Sequence, residues 1–332
     1  MTVQVERDFD LRCFFIFEGE DHMIASKLKV GDEIRVVAPS RSLLEVWNNV
    51  HQHAMEFWQK EGFYLSYSTH SRELDEYHSS SIGSRIEDLH EAFLDPNVKM
   101  IITSLGGFNV NQLLRYLDYE LIARNPKIIC GYSDITALLN AIYAKTGLVT
   151  YHGPHYSTFG FDRENEYTRQ AFLSCLTDNT PYVISPSKTA SEYYAIQEGN
   201  CEGTVIGGNL CTVNLLQGTP YMPDICNKVL FLEDDNIMGK YFSYEFDRNL
   251  ESLLQIDGAD TVKGIVFGRF EESCGMTLER ITDIVRNKVP SNIPVAFGVD
   301  FGHVFPIATF PIGGTVSITV KKENTKIVVV SH

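Results

Sequence analysis

Three short stretches carry side chains able to run acyl-transfer chemistry. In "IICGYSDITALL" (128–139) an apolar run ends in Gly131 and a helical pattern starts almost at once, which sets Ser133 on a strand-to-helix turn. Such a turn lifts a side chain out of a sheet. It also aims the first helical N–H groups, and the positive end of the helix dipole, at whatever sits there. A nucleophile suits that position, because the oxyanion formed on attack needs backbone donors. A serine there can equally do no more than cap the helix. The stretch is not a G-x-S-x-G elbow, since Ile135 stands where that motif has its last glycine. In "VDFGHVFP" (299–306) His303 follows a strand and a glycine, and imidazole is the side chain whose ordinary pKa suits a general base near neutrality. In "KVLFLEDDNI" (228–237) a strand runs out into Glu233, Asp234 and Asp235, an acid source for holding an imidazole in one tautomer. In "SLGGFN" (104–109) the pair Gly106-Gly107 ends a further strand and is small enough for backbone N–H groups to approach a ligand.

The elements that must position these residues read as alternating strands and helices. Residues 34–38 form a buried strand and 43–62 a helix with apolar spacing near 3.6 and a glycine stop. "FYLSYS" is a strand, "IGSRIEDLHEAFLDPNV" a helix, "KMIITS" a strand, 110–125 a helix, "KIICG" a strand and "DITALLNAIYAKTG" a helix. This order predicts an α/β fold whose N-terminal parallel sheet has helices on both faces. After about residue 160 the texture turns polar and weakly patterned, then "GTVIGGN", "KVLFLEDD", "GIVFGRF", "IPVAFGVD" and "TVSITV" read as strands of a β-rich second α/β domain. The expected boundaries are an N-terminal extension over 1–22, a serine-bearing domain over 23–160, a connecting segment over 161–200 and a domain carrying the acid and the histidine over 201–332. In open parallel sheets ligands bind beyond the carboxyl ends of the strands, and each candidate residue falls at such an end.

The bulk composition narrows the function. With 28 Lys+Arg against 43 Asp+Glu the formal charge is -15, a surface that repels a nucleic-acid backbone. Seven scattered cysteines with no C-x-x-C pair suggest neither a disulfide framework nor a zinc site. The charged start lacks the pattern of a signal peptide, and no run approaches the ~20 apolar residues of a membrane span, so a cytoplasmic protein without a membrane partner is expected.

The motifs "VVAPSRS", "SLGGFN", "NPKIICGYSDITALLNAIYAKTG", "TYHGP", "GTVIGGN", "KVLFLEDD", "GIVFGRFEE" and "VDFGHVFPIATFPIGG" occur in one order over nearly the whole chain. In them the chain resembles the serine-peptidase family of LD-carboxypeptidases and microcin C immunity hydrolases, and is closer to the immunity branch. The resemblance implies Ser133 as nucleophile, His303 as general base and Glu233 as orienting acid, with the backbone N–H groups of Gly107 and Asp134 as oxyanion donors. It implies a site in the groove between two domains, no metal or organic cofactor, and a homodimer. Its substrates are a murein tetrapeptide or an aminoacyl-nucleotide, both of which carry an anionic group, so Arg269, Arg248 and Asn109 are candidate contacts. The immunity branch stacks a nucleobase on an aromatic of the connecting segment. Here 155–200 has no tryptophan but holds Tyr156, Phe159, Phe161, Tyr167, Phe172, Tyr182, Tyr193 and Tyr194. The rival readings are a non-catalytic module that clasps a small ligand, and a dinucleotide-binding enzyme. The latter lacks a G-x-G-x-x-G between its first strand and helix.

Overall fold

A computed structural model describes residues 22–161, 166–190 and 192–332; all but the last residue of the expected extension over 1–22 lies outside them. In chain order the strands are β1 (Glu33–Val37), β2 (Tyr64–Tyr67), β3 (Val98–Thr103), β4 (Ile128–Gly131), β5 (Thr150–His152), β6 (Tyr182–Ile184) and β7 (Tyr194–Gln197). They continue with β8 (Gly199–Asn209), β9 (Val229–Glu233), β10 (Gly264–Gly268), β11 (Val295–Val299), β12 (Phe310–Ile312), β13 (Thr315–Val320) and β14 (Lys326–Ser331). The α-helices are α1 (Asn48–Lys60), α2 (Ile82–Leu94), α3 (Tyr119–Arg124), α4 (Thr136–Thr146), α5 (Glu166–Thr177), α6 (Leu210–Asn214), α7 (Phe242–Leu254) and α8 (Leu278–Lys288).

Two sheets result. The first runs β12-β5-β4-β3-β1-β2 and is parallel except for β12. The order reverses between β1 and β3, which opens a crevice at their carboxyl ends. The second runs β6-β14-β13-β8-β9-β10-β11-β7, with parallel β8 to β11 at its centre and antiparallel strands outside. The continuous apolar runs of β4, β9, β10 and β11 are buried throughout, as expected of strands covered on both faces. β12 lies in the stretch the sequence assigns to the second domain, yet it pairs with β5 of the first sheet.

Helix α4 joins the halves. Thr136 Oγ1 accepts from Asn209 N at 3.1 Å. Asn140 donates to Gly207 O at 2.7 Å and accepts from Gly207 N at 3.2 Å. These bonds fix the end of β8 against the start of α4, which follows the 3₁₀ turn Ser133–Ile135.

Two long helices expected from periodicity are shorter. The 43–62 pattern splits into a 3₁₀ turn at Leu43–Glu45 and α1, because Val46 is extended (φ -81, ψ 118). The 110–125 pattern splits because Asp118 caps a new helix by accepting from Leu121 N. Among the described residues no helix is long and apolar enough to cross a membrane.

Candidate active site

Ser133 follows the last residue of β4 by two positions and holds φ at +60, in the left-handed region. A non-glycine residue there costs about 1–2 kcal/mol, so the surrounding structure must enforce it. The conformation turns the hydroxyl away from the helix start: Ser133 Oγ lies 3.0 Å from His303 Nε2 and makes no cap. On the other side of the ring His303 Nδ1 lies 2.7 Å from Glu233 Oε2. The serine, the imidazole and the carboxylate thus form one hydrogen-bonded chain across the two sheets, each member at a strand's carboxyl end.

The surroundings set the charges. Burial alone would lower the His303 imidazole, but the Glu233 carboxylate opposes this through its charge and hydrogen bond. With help from Asp235 and Asp234 it raises the ring to about 9. Burial alone would raise Glu233; His303 and His152 more than reverse it and bring the carboxyl down to about 2. His152 is fully buried, stacks on Phe310 and holds Nε2 3.8 Å from Glu233 Oε1. Gly302, with φ +96, lies so close to Glu233 that any side chain would collide with the carboxylate.

The double-glycine loop packs against the serine. A Cβ on Gly106 would lie 2.8 Å from Ser133 Cβ and 2.9 Å from its Oγ. Gly107 and Asp134 line the same cavity, of about 540 Å³, as Ser133 and His303. The Asp134 side chain is buried and holds this loop in place. Its Oδ2 accepts from Ser40 Oγ at 2.6 Å and from Asn109 N and Val110 N, both at 2.9 Å. Burial pushes this carboxyl up, and those donors pull it back. Asp134→Ala strands three donors and is expected to lower the unfolding free energy by about 2–4 kcal/mol, read as a lower midpoint in denaturant. Unchanged stability would show that the loop is held some other way.

The arginines and the asparagine singled out in the sequence are used elsewhere. Arg269 pairs with buried Asp300 at 2.7 Å, a carboxylate also held by Ser187 N and Oγ. Arg248 is exposed and pairs with Glu245 one helical turn away, at 3.1 Å. The Asn109 side-chain oxygen accepts from Arg85 at 3.2 Å. None of the three lines the cavity. Among the described residues the arginine that does is Arg41, whose Nε donates to Gly106 O at 3.3 Å. Its place just after β1, at the strand-order reversal, is the signal that could have found it. Of the connecting-segment aromatics Phe161 lines the cavity, whereas Tyr156, Phe159 and Phe172 are buried in the core.

Such a constellation can move a proton from a hydroxyl to an imidazole and steady the cation that forms. Known proteins share the frame around it. Residues 34–153 match the LD-carboxypeptidase N-terminal domain and residues 202–318 the LD-carboxypeptidase C-terminal domain. YocD of Bacillus subtilis is 46% identical over 328 residues, which span 93% of this chain and 100% of that protein. The crystal structure of an MccF-like protein from Bacillus anthracis superposes with a TM-score of 0.91 at 48% identity, covering 93% of this chain and 100% of that one. The microcin C7 self-immunity protein MccF of Escherichia coli is 33% identical over 92% of this chain and 95% of its own. The chain therefore belongs to the LD-carboxypeptidase family of peptidase hydrolases.

Proposed function

We propose that the protein is a serine-type amidohydrolase that cleaves the amide joining an aminoacyl group to a nucleotide. The observation that carries the chemistry is the chain Ser133–His303–Glu233, with the serine held at φ +60 beside Gly106. His303 Nε2 takes the hydroxyl proton as Ser133 Oγ attacks the carbonyl carbon, and Glu233 stabilises the imidazolium. The carbonyl oxygen becomes an oxyanion beside the backbone of Gly107 and Asp134. As the C–N bond breaks, His303 returns the proton to the leaving nitrogen. Water then attacks the acyl-enzyme by the same route in reverse.

The substrate class rests on likeness. MccF has been crystallised with aspartyl sulfamoyl adenosine and with glutamyl sulfamoyl guanosine, and those structures match this chain at 31% and 30% identity over 93% of its length. A muramoyltetrapeptide carboxypeptidase from Oxalobacter formigenes matches at 25% over 90%. The second reading, removal of the terminal residue of a murein tetrapeptide, is favoured by the family's carboxypeptidase domains.

Incubation with a fluorophosphonate probe is expected to label Ser133 stoichiometrically. Incubation with aspartyl sulfamoyl adenosine and, separately, a murein tetrapeptide, followed by mass spectrometry, is expected to release aspartate from the first and leave the second intact. Cleavage of the tetrapeptide alone would move the protein to the murein reading. Absence of labelling together with absence of both products would leave a ligand-clasping module.

A further inference from the structure

A buried ion pair lies across the loop that carries the site's imidazole. Strands β10 and β11 run side by side and parallel, and the first residue past each is charged: Arg269 after β10 and Asp300 after β11. Arg269 N donates to Val299 O at 3.1 Å, which ties the two strand ends through the backbone. Beyond Asp300 the chain makes a run of bends from Gly302 to Pro306, with His303 among them. The neck of this loop is closed by Ala308 N, which donates to Asp300 O at 2.5 Å. Arg269 Nη2 spans the loop. It reaches Asp300 Oδ1 at 2.7 Å where the loop begins and donates to Pro306 O at 3.4 Å near its end. From the connecting segment, Ser187 Oγ donates to Asp300 Oδ1 at 3.0 Å and Ser187 N to Oδ2 at 2.7 Å. The Asp300 carboxylate is fully buried in this arrangement.

We infer that Arg269 and Asp300 are positioning residues that hold the His303 ring between Glu233 and Ser133. The inference rests on the hydrolase reading, and it names what that reading leaves open, namely what keeps the base in place. His303 makes two short contacts at once, 2.7 Å to Glu233 and 3.0 Å to Ser133, from a loop that is neither helix nor strand. The loop has little slack. A side chain on Gly302 would collide with the Glu233 carboxylate, so a shift toward β9 is blocked, while a shift away lengthens the Nδ1–Oε2 contact. A misplacement of about 1 Å in such a contact lowers a rate by up to about 100-fold. A guanidinium suits the task. Its planar fork presents several N–H donors in fixed directions, whereas an ammonium is a single point of charge. Neither residue lines the cavity, so the pair acts on the base and not on a ligand. A buried ion pair is by itself weak grounds for stability, and the place of this one, across both ends of the histidine loop, is what assigns it a role.

The test compares Arg269→Gln and Arg269→Lys with the parent protein, each as the full chain at a temperature where near-UV circular dichroism shows it folded. Labelling of Ser133 is followed against fluorophosphonate concentration. For Arg269→Gln the maximal labelling rate is expected to fall about 30–100-fold, with the half-saturating concentration unchanged to within about twofold. Arg269→Lys can reach Asp300 but not span the loop, and is expected to recover part of the rate, ending about tenfold below the parent. The second readout is the NMR resonance of the His303 Nδ1 proton, which lies far downfield because Glu233 holds it, and is assigned by its absence in His303→Ala. It is expected to broaden or move upfield in Arg269→Gln. Should Arg269→Gln fail to fold, Arg269→Lys carries both comparisons. A folded variant with a lower unfolding midpoint but the parent's labelling rate, or with the parent's proton resonance, would show that the pair only stabilises the fold and would overturn the assignment. Failure of the hydrolase reading is distinguishable. It appears as a parent protein whose Ser133 is not labelled, and the proton resonance alone then decides whether the pair positions the ring.

Discussion

Ser133→Ala is expected to lower kcat/KM for the amide substrate by a factor of about 10⁴ or more. Oγ is the only heavy atom removed, and it is the atom 3.0 Å from His303 Nε2. What activity survives would come from the backbone around Gly107 and Asp134 acting on a water molecule. The fold should persist, because alanine at φ +60 is strained to the same degree as serine and one partly exposed hydrogen bond is worth about 1 kcal/mol. Ser133→Gly separates catalysis from conformation more sharply. Glycine holds φ +60 without a Cβ penalty, so this variant should be as inactive as the alanine variant yet more stable by about 1 kcal/mol. A parent enzyme less stable than its own inactive form would show that the strain at residue 133 is kept for reactivity. Single-turnover kinetics and thermal denaturation of the pair check both statements. An alanine variant working at the parent rate would sink the nucleophile assignment.

Glu233→Gln is expected to cost about 10³–10⁴ in the plateau rate and also to move the pH profile. In the parent protein the carboxylate raises His303 to about 9, so the neutral imidazole, the form that the proposed mechanism needs as base, becomes the main form only above that pH. Log kcat/KM should therefore climb with pH through neutrality and level off near 9. The amide removes the negative charge and leaves burial as the largest influence, opposed by Asp234 and Asp235 at longer range. The ring then falls back toward or below its ordinary value of about 6.5, and the rise should level off at lower pH. A lower plateau reached at lower pH is the signature of a lost counter-charge. A merely damaged fold would lower the rate without moving the profile. An unmoved acid limb in Glu233→Gln would show that the carboxylate does not govern the imidazole.

Much of the frame was readable from residue order. Apolar runs closing on Gly-Tyr-Ser-Asp, Gly-Gly and Glu-Asp-Asp mark strand ends, because each run is too short for a helix and is bounded by turn residues. Helix ends were harder. The pattern over 43–62 keeps an apolar period through a break at Val46, since Leu43 and Val46 are buried whichever way the backbone runs. The capping side chain of Asp118, which starts α3, competes locally with continuation of the preceding turn.

What the sequence determined by itself is the set of chemical groups and their places at strand ends: a serine on a turn after β4, a histidine after β11, acids after β9 and a double glycine after β3. Tertiary structure decided which of them meet. Glu233, Asp234 and Asp235 are near-equivalents in sequence, yet of the three it is Glu233, the last residue of β9, that hydrogen-bonds His303. Arg269 and Arg41 are both arginines just past a strand, yet Arg269 meets Asp300 because β10 lies beside β11, while Arg41 is left at the cavity. Local preference acts over a few residues, whereas these choices depend on contacts between positions up to 170 apart, the span that joins Ser133 to His303.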